Sequence, residues 1–532
     1  MKIGNFVEIF LEFKNKLNLQ GVPHKNGNTS QDIREFAVKF FFTIKIINYM
    51  NQEIRNLEPK ALWNKFADLN AVPRPSKKEE RVIAFMKDFG KSLGLETIED
   101  EVGNVIIRKP ATKGMEDRKM IILQSHLDMV HQKNNDTDFD FDKQGIEMYV
   151  DGDWVRAKGT TLGADNGLGV ATIMAILESD DIEHPAIEAL FTIDEETGMT
   201  GAKGLKGGVL KGDILLNLDT EEDDEIGIGC AGGVDITASG DYKNVDASKN
   251  GQSYIISVKG LNGGHSGMDI IKGLGNANKL MNRLLFATND FMELANLEGG
   301  SLRNAIPRES VAKVVVTDES KFQAAFESMK NDILVEYKSL EENLSITAEK
   351  SDEAFSKVMH SECQTKFLNV MNAAHNGVYR MSPDIEDLVE TSNNIAKVSV
   401  AGGSIKIECL TRSSVESSKA TLANALKSTF ELAGYEVKLS GDYPGWAPNM
   451  DSAILKVMDS LYEKMNGEKA NVAACHAGLE CGILGQNYPG MDMISFGPTI
   501  RGAHSPDERA SISSAQKYWD FTLEVMKNIP KK

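Results

Sequence analysis

Residues 119–128 read KMIILQSHLD, a short apolar run that ends in a histidine and an acid. The same order recurs downstream, where AIEALFTI (residues 186–193) leads into DEE (residues 194–196) and DILLNL (residues 213–218) leads into Asp219. Apolar runs of this length predict buried strands. Because functional groups in α/β proteins gather beyond the carboxyl ends of the strands, these acids are candidate site residues.

The pattern of predicted secondary structure changes twice along the chain. Short strands alternate with helical segments up to about residue 230, as expected for an α/β fold, and a helix, a buried strand and a closing helix return after residue 442. Between these parts the pattern is α+β. The sequence therefore predicts an α/β domain formed by residues 50–230 and 443–532 and interrupted by an inserted α+β domain, residues 231–442.

Residues 1–49 carry more basic than acidic side chains, unlike the acidic remainder. We interpret them as an N-terminal extension of unknown role that is dispensable for fold and activity. An ordinary helix packed on the body is the alternative interpretation.

The bulk properties exclude several classes. The 532-residue chain has a net charge of −19, which argues against a nucleic-acid partner. No apolar run reaches the roughly 18 residues of a membrane span. Five cysteines are too few for a disulfide framework in so long a chain, so we expect an intracellular, cytoplasmic protein with no membrane partner.

Two further segments join the acidic strand ends. Asp165 precedes a predicted helix, and His504 follows the predicted strand MDMISFG, residues 491–497. Like charges at neighbouring strand ends repel each other unless cations bind there. A pair of metals about 3.5–4 Å apart needs several carboxylate and histidine ligands, and such ligands suit zinc, or manganese and cobalt as substitutes. A lone Asp or His at a strand end is usually an ordinary loop residue, so the prediction rests on the combination.

Eight motifs carry a resemblance to a known family. They are HLDMV (126–130), GADNGLG (163–169), DEETGMTGA (194–202), NLDTEE (217–222), GGHSG (263–267), RNAIPRE (303–309), HAGLECG (476–482) and GAHSPDE (502–508). The chain from about Met50 onward resembles the co-catalytic zinc family of aminoacylases, carboxypeptidases and di- and tripeptidases. HAGLECG and the long insertion resemble its aminoacyl-histidine dipeptidase branch. The resemblance implies a zinc-exopeptidase-like catalytic domain, with a central mixed sheet flanked by helices, and a lid formed by the insertion.

The resemblance also implies a ligand set. Asp165 would bridge two metals, His126 and Asp219 would complete one metal site, and Glu196 and His504 would complete the other.

Two catalytic roles follow from the same resemblance. Asp128 would orient His126, and Glu195 would be the general base that takes a proton from the attacking water. In this family a cis peptide bond joins the two residues that correspond to Asp165 and Asn166.

Four residues would contact the substrate. His265 resembles the histidine that steadies the oxyanion, Asn304 and Arg412 resemble substrate-holding residues, and Gly478 falls where the family lines its pocket. The implied activity is hydrolysis of short peptides, in particular Xaa-His dipeptides such as β-alanyl-histidine. Homodimerisation is compatible with the sequence.

Other functions remain open at this point. The same site could serve an N-acyl amino-acid deacylase or a tripeptidase. A metal-binding protein with a decayed site is a non-enzyme alternative, but such a protein needs neither Asp128 nor Glu195.

Three other motifs are interpreted as ordinary. GIGCAG (227–232) matches GxGxxG, but a strand rather than a helix is predicted to follow it. The acidic run 136–142 lacks the glycine that an EF-hand loop needs. Cys475, His476 and Cys481 lack the second cysteine pair of a structural zinc site.

Overall fold

A computed structural model describes residues 51–532, so the predicted extension, residues 1–49, lies outside the described residues. In chain order the strands are β1 Glu96–Glu99, β2 Val105–Lys109, β3 Ile121–His126, β4 Met148–Asp151, β5 Trp154–Ala157, β6 Ile187–Thr192, β7 Ile214–Asn217, β8 Glu225–Cys230, β9 Gly232–Asp241, β10 Asn244–Asp246, β11 Gln252–Lys259, β12 Gly264–His265, β13 Met292–Gly299, β14 Ala305–Ile306, β15 Ser310–Val316, β16 Ser345–Lys350, β17 Lys357–Met359, β18 Gly377–Met381, β19 Val389–Ala401, β20 Ser404–Ser413, β21 Glu436–Tyr443, β22 Asn471–Cys475, β23 Asp492–Ser495, β24 Ile500–Arg501 and β25 Arg509–Ser511. The α-helices are α1 Gln52–Arg55, α2 Lys60–Leu69, α3 Glu80–Ser92, α4 Ala164–Glu178, α5 Glu195–Gly198, α6 Thr200–Gly204, α7 Ala277–Ala287, α8 Glu319–Glu336, α9 Ser361–Ala373, α10 Glu416–Leu432, α11 Ala453–Asn466, α12 Glu480–Asn487 and α13 Ile512–Lys527.

A mixed eight-stranded sheet forms the first half of the molecule. Its strand order is β1-β2-β6-β3-β7-β23-β8-β22. Strands β6, β3, β7 and β23 are parallel neighbours, and every residue of β3 and β6 is buried. Central parallel strands covered on both faces read as continuous apolar runs, which is the pattern from which they were predicted. The predicted α/β class with a central mixed sheet is confirmed.

Helix α4 lies in the core next to this sheet. It is buried along almost its whole length and packs against α2 and β3. A helix that is apolar all round belongs in a core, which explains why α4 lacks a polar face. A small sheet of order β24-β25-β5-β4 contributes side chains to the same apolar core.

The second half is built on an antiparallel sheet of nine strands. Eight of them follow the order β16-β11-β15-β13-β19-β20-β9-β21, and β18 pairs with β19. Helices α7 to α10 contribute to a separate apolar core, whose fully buried aromatic side chains include Tyr254, Phe322 and Phe430. The role of this half as a lid stays a prediction.

Two chain segments cross between the halves. Strand β8 of the first sheet runs into β9 of the second through Ala231, and the chain returns after β21. At the crossing the backbones of Cys230 and Trp446 exchange two hydrogen bonds of 2.9 Å. A Cβ atom on Gly232 would lie 2.4 Å from the amide nitrogen of Gly445, so this close backbone approach requires glycine.

Near residue 50 the chain forms two helices, α1 and α2, with Pro59 between them. Proline lacks an amide hydrogen and cannot continue a helix, so a new helix begins after it. The predicted strand after GIGCAG is confirmed as β9. Across residues 51–532, none of the helices has the length and apolar character to cross a membrane.

Candidate metal centre

The carboxyl ends of three parallel strands bring the predicted site together. His126 is the last residue of β3, Asp219 follows β7 by two residues, and α5 begins three residues after β6. Because β6, β3 and β7 are adjacent and parallel, these ends meet at one edge of the sheet. Asp165, at the start of α4, and His504, in the loop between β24 and β25, complete the cluster.

Asp165 lies between two sets of side chains. Its Oδ1 atom is 3.1 Å from His126 Nε2, which in turn lies 3.6 Å from Asp219 Oδ1. Its Oδ2 atom is 3.2 Å from His504 Nε2, which lies 2.9 Å from Glu196 Oε2. The two oxygens of one carboxylate therefore face two different pairs of potential metal ligands.

The electrostatics of the cluster fit a divalent cation. Burial and the neighbouring Asp165 raise the pKa of Glu196, and burial also raises the pKa of Asp219. Hydrogen bonds to Asp165 and Glu196 raise the pKa of His504 to about 11. Buried carboxylates this close together repel each other, so positive charge stabilises the cluster. Divalent cations would provide that charge.

One buried atom supports the same fit. Glu196 Oε1 is buried and has no hydrogen-bond partner within residues 51–532. A buried carboxylate oxygen without a partner is costly, and metal coordination would satisfy it. Ligand atoms of His126, Asp165 and Glu196 lie within 4.8 Å of one another. Carboxylate and imidazole donors of this kind suit zinc, manganese or cobalt.

The backbone around the cluster has unusual geometry. The peptide bond between Asp165 and Asn166 is cis, as the resemblance implies. The Asn166 side chain donates hydrogen bonds to Leu218 O at 2.8 Å and to the carboxylate of Asp219. His504 has a φ of 64°, a left-handed conformation that costs a non-glycine residue about 1–2 kcal/mol.

Asp128 contacts both the histidine and the acidic turn. Its Oδ1 atom lies 3.4 Å from His126 Nδ1 and accepts a hydrogen bond of 3.0 Å from the backbone N–H of Glu195. Its Oδ2 atom accepts one of 3.3 Å from the N–H of Glu196. Burial opposes the charged form of Asp128, but the hydrogen bonds outweigh it and lower the pKa. This position suits a residue that orients both His126 and the two glutamates.

The adjacent glutamates differ in their contacts. Glu196 reaches His504, whereas Glu195 forms no ion pair with a histidine in the described part of the chain. Burial raises the pKa of Glu195 well above its usual value, and the negative charges of Asp219, Glu480 and Glu196 add to that effect. A carboxyl group with a raised pKa beside these potential metal ligands is suited to accept a proton.

Residues 231–442, which form the nine-stranded sheet, bring two of the four predicted substrate residues into contact. Arg412 Nη2 lies 3.4 Å from His265 Nε2, and burial together with Arg412 lowers the pKa of His265 to about 4. Asn304 lies beside them, because its carbonyl accepts a hydrogen bond of 2.8 Å from the Ser266 amide. The Asn304 side chain is exposed.

Gly478, the fourth substrate residue, lies against Tyr443. A Cβ atom at this position would lie 3.1 Å from Tyr443 Cε2 and 3.4 Å from Met199 Cε. Tyr443 also accepts a hydrogen bond of 2.9 Å from Arg412 Nη1. Gly478 therefore lies between Tyr443, which contacts Arg412, and Met199, which follows Glu196 by three residues.

Sequence reasoning missed a buried polar network under the cluster. Glu480 accepts hydrogen bonds of 2.6 Å from Gln124 Nε2 and from Thr192 Oγ1. Asn217 Nδ2 donates to Gln124 Oε1 at 2.5 Å, and Ser495 Oγ donates to Asn217 Oδ1 at 2.6 Å. The available signal was the presence of polar residues within buried strands. Gln124 and Asn217 each precede a predicted metal ligand by two residues, which places them on the same face of the sheet.

The motifs interpreted as ordinary gather no metal site in the structure. Within residues 51–532, no group of three potential ligands within 4.8 Å includes a cysteine or an acid of the run 136–142. His476 Nε2 instead lies 2.8 Å from Ser392 Oγ. A second acidic group consists of Glu79, Asp128 and Asp194. Its carboxylates already accept hydrogen bonds from backbone amides and threonine hydroxyls.

The chain is similar to known proteins of one family. The family described as peptidase family M20/M25/M40 matches residues 122–528. The cytosol non-specific dipeptidase of Escherichia coli (strain K12) is 42% identical over 488 residues, which cover 90% of this chain and 100% of that protein. The crystal structure of aminoacylhistidine dipeptidase from Vibrio alginolyticus superposes with a TM-score of 0.85 at 43% identity and covers 91% of this chain and 99% of that one.

A more distant structure shares the fold alone. A tripeptidase from Staphylococcus aureus has a TM-score of 0.52 at 17% identity over 89% of this chain and 99% of that one. The fold is that of a peptidase. The chain belongs to peptidase family M20/M25/M40, which confirms the resemblance inferred from its motifs.

Proposed function

We propose that this protein hydrolyses dipeptides at a centre of two divalent metals. One observation carries the proposal: the two oxygens of Asp165 face separate ligand pairs, at 3.1 Å from His126 and 3.2 Å from His504. A shared carboxylate between two pairs is the arrangement that a dinuclear site requires.

The proposed ligand sets follow from these contacts. His126 and Asp219 would hold one cation with Asp165, and Glu196 and His504 would hold the other. Zinc fits these donors, and manganese or cobalt can replace it. When bound, such cations acidify water and polarise the carbonyl of the substrate.

Two side chains of the protein would move or direct protons. Glu195 accepts a proton from the attacking water and passes it to the leaving amine, as a carboxylate near the reacting atoms can do. Asp128 supports this step, because it binds the backbone N–H of Glu195 at 3.0 Å and contacts His126. We therefore assign Asp128 and Glu195 as the catalytic pair.

Residues 231–442, together with Gly478, would bind the substrate. Arg412 is suited to hold the free carboxylate of a short peptide through charge-assisted hydrogen bonds. His265, 3.4 Å from Arg412, would steady the oxygen of the scissile carbonyl. The backbone of Asn304 lies next to that of Ser266. Gly478 has no side chain and would line the substrate pocket beside Tyr443. Binding of the free carboxylate next to the scissile bond would favour very short peptides.

The names of the relatives indicate the substrate class. One is called a non-specific dipeptidase and another an aminoacylhistidine dipeptidase. We propose that this protein accepts several dipeptides, with Xaa-His dipeptides such as β-alanyl-histidine among them, and that it acts in the cytosol as the first relative's name states.

A substrate panel with metal replacement tests the proposal. Metal-free protein prepared with a chelator is reconstituted with zinc, manganese or cobalt and assayed against alanyl-alanine, β-alanyl-histidine, trialanine and N-acetyl-alanine. We expect metal-dependent hydrolysis of both dipeptides and much slower turnover of the other two compounds. Faster turnover of N-acetyl-alanine or trialanine would assign the site to a deacylase or a tripeptidase. Dipeptide hydrolysis that survives complete metal removal would refute the metal centre.

A further inference from the structure

The buried carboxylate of Glu508 binds the backbone of the segment that carries Asp165. Glu508 is buried and accepts four backbone hydrogen bonds from consecutive residues. Its Oε2 atom binds the N–H groups of Leu162 at 2.7 Å and Gly163 at 3.0 Å. Its Oε1 atom binds those of Ala164 at 2.7 Å and Asp165 at 3.3 Å. Glu508 lies four residues after His504, so one short loop contacts both sides of the cluster.

A buried arginine binds the other side of the same segment. Arg74 Nη2 donates a hydrogen bond of 2.5 Å to Gly163 O, and its Nη1 donates to Leu127 O at 3.1 Å and to Asp128 O at 3.0 Å. The guanidinium group therefore joins the residues directly after His126 to those directly before Asp165. Its planar fork suits this task, because it directs several donors in fixed directions.

The glycine at the centre of the segment fits this contact. Gly163 has a φ of 69°, and a Cβ atom there would lie 2.5 Å from Arg74 Nη2. Only glycine meets both the left-handed conformation and the close approach of the guanidinium. The N–H groups of the segment thus face a negative charge and its carbonyl faces a positive charge.

We propose that Arg74 and Glu508 are positioning residues that set the distances from Asp165 to His126 and to His504. Neither residue coordinates metal. The proposal rests on the ligand assignment made above, and it extends that assignment to two side chains that act only through the backbone. Partners that orient metal ligands in this way typically contribute about 10–100-fold to metal affinity.

The test measures metal affinity separately from stability. Zinc binding to the metal-free full-length protein is measured by competition with a chromophoric chelator, and the unfolding midpoint of the same metal-free sample is recorded. Glu508→Gln keeps the shape but replaces an acceptor by a donor that faces backbone N–H groups. Arg74→Lys keeps the charge but loses the fork.

A matched control lies one residue away. Asp507→Asn removes the same charge from an exposed side chain of the same loop. We expect Glu508→Gln and Arg74→Lys to weaken zinc binding at one or both sites by about 10–100-fold. Excess zinc should restore much of the lost turnover, and Asp507→Asn should remain within about twofold of the wild type.

Two outcomes separate this inference from the proposed function. If the wild type binds two zinc ions and both variants bind them equally tightly, with only a lower unfolding midpoint, the residues support the fold alone and the inference is wrong. If the wild type itself fails to bind two ions, the proposed function fails first. Should Glu508→Gln not fold, Glu508→Asp, whose carboxylate is one methylene shorter, and Arg74→Lys decide by the same criterion.

Discussion

Replacing Glu195 with Gln separates proton transfer from metal binding. Gln keeps the size of the side chain and the backbone N–H that binds Asp128 at 3.0 Å, but it cannot accept a proton. Loss of a general base typically lowers turnover by about 10²–10⁴-fold, or about 2.7–5.4 kcal/mol of transition-state stabilisation. Both metals should remain bound, because the histidine contact of this turn is made by Glu196 at 2.9 Å from His504.

The same change has a second measurable consequence. Burial raises the pKa of Glu195 well above its usual value. A carboxyl group whose pKa is raised by folding destabilises the folded state at any pH above its unfolded value of about 4.3. A neutral Gln removes that cost, so the metal-free variant at pH 7 should unfold at the same midpoint as the wild type or at a higher one.

The assay compares two neighbouring variants. Turnover of β-alanyl-histidine, metal per chain by elemental analysis and thermal unfolding are measured for Glu195→Gln and Glu196→Gln. The Glu196 variant should lose metal from one site and regain part of its activity with excess zinc. The assignment is reversed if the Glu195 variant loses metal while the Glu196 variant keeps both ions. A Glu195 variant within tenfold of wild-type turnover would show that another group is the base.

Three further predictions concern substrate binding and stability. His265→Ala should lower turnover and leave metal content near the wild-type value, and loss of a metal ion would make His265 a ligand. Arg412→Ala should raise KM for free dipeptides by roughly 10- to 150-fold, since hydrogen bonds to charged groups contribute about 1.5–3 kcal/mol. It should affect C-terminally amidated dipeptides much less, and an equal effect on both would exclude a carboxylate contact. Trp63→Ala should destabilise the metal-free protein by about 3–5 kcal/mol in urea unfolding, because Trp63 is fully buried. Leu432→Ala, at a side chain that is 90% exposed, is its control and should change little.

The central strands and the ligand positions were predictable because local signals coincide there. Strands β3, β6 and β7 are short, largely apolar segments that end in, or are followed within two residues by, a histidine or an acid, so length, composition and flanking residues all indicate the same elements. Helix α4 is apolar on all sides, which marks it as buried. The convergence of their ends follows from the parallel order of the sheet.

Contacts between distant parts of the chain left no local signal. Glu508 binds amides that precede it by more than 340 residues, and Glu480 binds Gln124 across 356 residues. Neither pairing follows from the periodicity of a single segment. The pairing of Glu196, rather than Glu195, with His504 was implied by the family resemblance and not by the local pattern, because that contact depends on how two loops pack together.

The ratio of bound metal to protein tests the central account most directly. Wild-type protein and Asp165→Asn are freed of metal, equilibrated with zinc and analysed for metal per chain. Because Asp165 offers one oxygen to each ligand pair, the wild type should hold two zinc ions and the variant at most one with wild-type affinity. A wild type that saturates at one ion, or an Asp165→Asn variant that holds two ions as tightly as the wild type, would contradict the shared-carboxylate centre.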